Sequence, residues 1–349
     1  MNFTISVIFR AIPLLMGAVC LSYGLYVYTG GNDTTLYFLA GHILIALTAI
    51  CYALFTTAAT IIRQLISRYG SLWYWLLPLS GYAVAAVTVG YGLYVLAIYK
   101  TTPGYVAGHV VTGIALIAAC VSTVATASRR FLLIAANSHR TAADGPPKGA
   151  HSQKVGMALV SVPIVCALVT YGWGLYTFFS GGVGQGNFIG GLVLMGLAGI
   201  CASLIALVAT IDRQIRNVFG EAERYFWSYW VIGFGTLNLV LGLGTLLLSS
   251  RAYSVAPGFV LIGLSLVCFS ILSKVLLLAL VWRRKFDLAD KIPLIPIATC
   301  LTCLFISAFL FEANFTNGNF FVPAHVLVGL GAVCFTLFSI VSILEAGTS

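Results

Sequence analysis

LYFLAGHILIALTAICYALFTTAATII, residues 36–62, contains no Lys, Arg, Asp or Glu. A helix needs roughly 20 apolar residues to cross a bilayer. The run lacks the ten-residue alternation of an outer-membrane strand, so it reads as a helix, which satisfies its own backbone polar groups in lipid. Nine further runs of the same kind surround it, at about 7–28, 71–98, 104–128, 157–180, 187–211, 226–249, 256–282, 294–312 and 320–345. The fold class is therefore all-α, a polytopic transmembrane bundle of about ten spans.

Composition agrees. The chain is 60% hydrophobic and 8% charged, where a soluble domain carries about 25% charged residues. No stretch between spans is long enough for a separate domain, so residues 1–349 read as one membrane domain. The apolar run near the N-terminus reads as the first span rather than a cleaved signal.

The net charge of +9 sits in short loops, which makes it a topology signal and not a nucleic-acid footprint. Fifteen of the basic residues fall at one end of the spans and only Lys100 and Arg251 at the other. That asymmetry predicts a bacterial inner-membrane protein with both termini in the cytoplasm. The one sizeable loop, 129–156, is rich in Ser, Ala, Gly, Pro and basic residues, and is expected to be flexible and cytoplasmic. Membrane lipids are the expected partners.

The spans repeat in pairs. Ala40-Gly41-His42 recurs as Ala107-Gly108-His109, then as Gly190-Gly191-Leu192, Pro257-Gly258-Phe259 and Pro323-Ala324-His325. These anchors, at 42, 109, 192, 259 and 325, are spaced 67, 83, 67 and 66, and the long spacing contains the long loop. Four residues on stand Ala46, Gly113, Gly196, Gly263 and Gly329; nine on stand Cys51, Cys201, Cys268 and Cys334, with Cys120 two residues late. In the first helix of each pair, Tyr23-Gly24-Leu25-Tyr26-Val27 recurs as Tyr91-Gly92-Leu93-Tyr94-Val95, with a weaker echo at Gly174-Leu175-Tyr176. Five parallel repeats follow, at about 7–63, 71–129, 157–213, 226–283 and 294–345. They can close into a pseudo-fivefold ring around a cavity or stack irregularly, and the sequence leaves both open.

Several residues are candidates for function. His42, His109 and His325 each open an even-numbered helix. A helix N-terminus disfavours imidazolium, so they are expected to be neutral at neutral pH and to charge in an acid periplasm. If they converge, they would form a pH-sensing gate; alternatively each bonds a local carbonyl. A three-histidine metal site or a haem is a further alternative. Lys274 is the one cation well inside a span, either functional or snorkelling towards the interface. Glu312 and Glu345 lie at span ends. Tyr23, Tyr26, Tyr91, Tyr94 and Tyr176 read as an aromatic belt, or alternatively as a polar vestibule. All nine cysteines fall in apolar spans, which excludes a secreted disulfide framework. Cys300-x-x-Cys303 reads as packing in an apolar helix. No nucleotide loop, zinc-protease helix or nucleophile motif stands out, so neither an enzyme nor a cofactor is implied.

The runs VLVGLGAVCFTLFSIVSILEAG (326–347), SKV (273–275) with LALVWRR (278–284), IAACVSTVA (117–125) and Ala40-Gly41-His42 resemble the YhiM family of enterobacterial inner-membrane proteins, along essentially the whole chain. The resemblance implies a multi-spanning protein linked to survival in acid. One departure is Gly190-Gly191-Leu192, where that family tends to carry Ala-Gly-His. The expectation is an acid-tolerance protein that moves or gates a small solute or ion. The alternatives are a lipid- or partner-binding envelope factor and a metal- or haem-binding protein.

Overall fold

A computed structural model describes residues 3–65, 73–137, 153–180, 185–216, 218–249, 251–283 and 291–346. It has ten long helices and, among the described residues, no strand: α1 Phe3–Thr29, α2 Leu36–Leu65, α3 Trp73–Ile98, α4 Thr102–Asn137, α5 Gln153–Ser180, α6 Gln185–Ile215, α7 Glu221–Leu248, α8 Val255–Arg283, α9 Leu294–Asn314 and α10 Phe321–Ala346. Each is long and apolar enough to span a membrane. The expected loop 129–156 is partly helical: α4 continues to Asn137 and α5 begins at Gln153. Its remainder lies outside the described residues.

The turns within each helix pair have local causes. After α1, Gly30 and Gly31 end the helix, and the Asn32 side chain accepts a 2.7 Å hydrogen bond from Thr34 Oγ1. Before α4, Thr101 Oγ1 accepts from Gly104 N and donates at 2.7 Å to Asp33 O in the preceding turn. Before α10, Asn317 accepts from Asn319 N. These are the side chains that compete with a helix for its own backbone groups.

The helices form two layers. Even-numbered spans are 72–94% buried and odd-numbered spans 22–33%. The outward faces of the odd helices carry exposed Leu14, Leu15, Leu168, Leu247, Phe305 and Phe309. So much exposed aliphatic surface belongs in lipid.

Glycine brings the inner layer together. A Cβ added at Gly113 would lie 2.7 Å from Leu197 and 3.0 Å from Leu194. The same contact joins Gly196 to Leu261 and Leu264, Gly263 to Leu327 and Leu330, and Gly329 to Leu44 and Leu47. In every case the residue four past one anchor meets the residues two and five past the next. Inner helices therefore follow one another as α2, α4, α6, α8 and α10, and α10 returns to α2. Each odd helix packs on its own even partner and on the even helix before it in that cycle.

Close approach within each hairpin also rests on small residues. A Cβ on Gly174 would meet Gly191 O at 3.0 Å, and one on Gly242 would meet Gly258 O at 2.8 Å. In the last repeat Ser307 stands in the glycine's place and donates to Ala324 O at 2.7 Å. Polar side chains between helices find carbonyls: the buried Asn238 and Ser265 reach Gly196 O and Gly235 O, and the half-buried Trp230 reaches Ala202 O. In lipid these groups have no water to turn to.

Candidate functional site: the axial cavity

The inner helices enclose a cavity along their common axis. It is lined only by α2, α4, α6, α8, α10 and the turns that open them. Counted from each anchor, the lining positions are −3, +1, +5, +8 and +12 on all five helices. Steps of three and four residues keep one helix face towards the axis. The side chains thus form stacked rings of five. The +5 ring is Leu47, Ile114, Leu197, Leu264 and Leu330; the +12 ring is Leu54, Val121, Leu204, Ile271 and Leu337.

Below the +12 ring the pattern changes. Val124, Leu207 and Lys274 line the cavity at +15. Among the described residues, Lys274 is the only charged one in the lining. It is 2% exposed, and among the described residues no hydrogen bond or ion pair reaches it. It marks the end of the cavity nearer Arg63 and Arg129. At the opposite end the lining turns polar, with Thr102, Gln185, Tyr253 and Asn319. From the −3 ring to Lys274 is eighteen residues, about 27 Å of helix rise. That is close to the full ~30 Å of a bilayer's hydrocarbon core.

The free space is about 170 Å³. An aliphatic cavity of ~150 Å³ stays dry and takes up apolar molecules instead. In channels, hydrophobic constrictions gate by excluding water.

The histidines are not part of this cavity. Nδ1 of His42, His109 and His325 lies 2.7–2.8 Å from the carbonyl oxygen four residues earlier, at Phe38, Tyr105 and Phe321. A carbonyl only accepts, so Nδ1 carries the hydrogen and donates. Each ring then faces the first helix of the next repeat. His42 stacks on Tyr91 at 5.7 Å, His109 meets Trp173 at 5.3 Å, and His325 stacks on Tyr23 at 5.6 Å. The three histidines thus occupy three separate interfaces and do not converge. Where the anchor is Leu192 or Phe259, the matching position on the next repeat is Leu241 or Ile306. Histidine and aromatic partner are present together or absent together.

The other candidates scatter. Tyr26, Tyr94 and Tyr176 are exposed on the outer helices, and Tyr23 and Tyr91 serve the histidine stacks, so none of the five lines the cavity. Glu312 is exposed near the end of α9 and Glu345 is half-buried near the end of α10. The cysteines are buried and free. Cys20 interacts with Cys51, and Cys303 with Cys334. Among the described residues no three His, Cys, Asp or Glu side chains are grouped to hold a metal. At the basic end, Asp212 pairs with Arg216 at 2.7 Å, and Arg213 pairs with Glu223.

The family described as "Protein of unknown function (DUF2776)" matches residues 1–349. The chain belongs to that family. It is 47% identical to "Inner membrane protein YhiM" of Escherichia coli (strain K12), over 100% of this chain and 99% of that protein. No solved structure matches it significantly. The relative and the ten apolar helices together make this a multi-pass inner-membrane protein.

Proposed function

We propose that the axial cavity is a pathway for a small solute, held shut by its aliphatic rings, and that the pathway serves survival in acid. The observation that carries this reading is the cavity shared by all five inner helices, about as long as the bilayer core is thick. The acid link follows the resemblance to the YhiM family. Positive-inside asymmetry puts both termini and the Lys274 end in the cytoplasm, and the histidines near the periplasm. A lone amine in a dry tube repels cations, so the solute is neutral or anionic. No catalytic step is part of this reading.

The test is flux from liposomes carrying the purified chain, with entrapped cations, anions and neutral organic solutes, as the external pH is lowered from neutral to acid. The reading expects release of a neutral or anionic solute above empty liposomes, and cation entry only in Lys274→Met. Liposomes that hold every solute as tightly as protein-free controls would overturn it.

A further inference from the structure

We infer that the axial cavity is a binding site for one linear alkyl carboxylate, its carboxylate on Lys274 and its chain threaded through the aliphatic rings. The inference rests on the axial-pathway reading and names the chemical class that the pathway takes.

Three features of the site converge on this ligand. The first is the amine. Lys274 lines the cavity, is 2% exposed and has no partner among the described residues. A buried polar group in this state carries the full cost of lost hydration. An anion arriving in the cavity would supply the missing partner through a charge-assisted hydrogen bond. One ammonium balances one negative charge. A carboxylate leaves nothing over, whereas a phosphate dianion would bring a second charge into an aliphatic site that offers it no partner.

The second feature is the wall. From the −3 ring to the +12 ring every lining side chain is aliphatic, so the remainder of the ligand finds no hydrogen-bond partner and must itself be hydrocarbon. The third is the shape. About 170 Å³ spread along roughly 27 Å of helix rise is a long, narrow space. It excludes a ring system and a two-tailed phospholipid. The end of the site opposite Lys274 is lined by the polar Gln185 and Asn319.

The experiment uses the full chain in nanodiscs and radiolabelled octanoate as the probe. Wild type is expected to bind it saturably, one molecule per chain. Lys274→Met is expected to weaken binding roughly tenfold or more, the scale of a hydrogen bond to a charged group. Val267→Trp, which fills the tube and keeps the amine, is expected to abolish it. Octylamine and octanol should not compete. A carboxylate carrying a photoreactive alkyl chain, used on wild type alone, should label the inner helices and spare the lipid-facing odd helices. This arm stands even if a variant fails to fold. Equal binding by Lys274→Met, equal competition by octylamine, or label confined to odd helices would overturn the inference. Displacement of octanoate by phosphatidylglycerol would also overturn it, in favour of a membrane lipid. Saturable octanoate binding without flux would leave this inference intact and remove the pathway. Flux of another solute without octanoate binding would do the reverse.

Discussion

The imidazole of His325, on the last helix, stacks on the phenol ring of Tyr23, on the first, with centroids 5.6 Å apart and planes 10° from parallel. The chain's two ends meet through this pair, and His42–Tyr91 repeats the geometry one unit on, at 5.7 Å and 7°. Aromatic pairs of this kind contribute about 0.5–1.5 kcal/mol beyond their burial. A double-mutant cycle of Tyr23→Leu and His325→Leu should return a coupling energy in that range, measured by denaturant or thermal unfolding. The leucine pair copies what the chain already carries at Leu192 and Leu241. Strict additivity of the two changes would show that the stack adds nothing to ring closure.

The same stacks are where acid would act. The histidines' ring partners are Tyr28, Phe38 and Tyr91 for His42, Tyr105 and Trp173 for His109, and Tyr23, Phe311 and Phe321 for His325. A proton on Nε2 would place a cation in each of three inter-repeat interfaces at once. The triple variant His42→Leu, His109→Leu, His325→Leu should fold, because Leu192 fills the same position in the third repeat. It should also lose any acid-triggered change in liposome flux. An unaltered response to acid would place the trigger elsewhere.

Glycine at the +4 position is set by its neighbour's leucines. In Gly263→Val the new side chain would start 2.6 Å from both Leu327 and Leu330. Overpacking of that order costs about 1–3 kcal/mol. Gly244 is the control: a Cβ there meets nothing within 4 Å. Gly244→Ala should be neutral or add up to about 1 kcal/mol through helix propensity. Melting temperatures of the two variants should move in opposite directions, or only the first should move.

Asn238 ties α7 to α6 through its 3.1 Å bond to Gly196 O. Hydrogen bonds between membrane helices average about 0.6 kcal/mol, with a maximum near 1.7. Asn238→Leu should therefore lower stability by about 1 kcal/mol or less and leave the ring closed. A loss several times larger, read from unfolding curves, would mean that this residue holds the repeat together by some other route.

Ten spans and their grouping in pairs were legible in the sequence. Hydropathy sums over many residues, and the anchors at 42, 109, 192, 259 and 325 recur at nearly fixed spacing. The cavity was not legible. Inner spans such as 187–211 are apolar all round, because one face meets the axis and the others meet neighbouring helices, so no single helix shows which face is which. Only superposing the five repeats brings out Leu47, Ile114, Leu197, Leu264 and Leu330 as one ring. The histidines illustrate the same gap. Position +1 faces the axis, and the anchor one residue before it is turned about 100° away on the helix. His42, His109 and His325 therefore face the next repeat instead of one another. Lys274 stands out in the sequence alone, since a charge inside a span needs a reason. What the sequence leaves open is whether it is functional or snorkels towards the interface.

We propose that the five inner helices bound a pathway held shut by its aliphatic rings. It is tested most directly by comparing solute leak from liposomes carrying wild type, Leu264→Ser in the +5 ring, and Leu247→Ser on the exposed face of α7. A hydroxyl in a dewetted constriction admits water, so the account predicts raised leak for Leu264→Ser alone. Equal leak from the two serine variants, or none from either in folded protein, would contradict it.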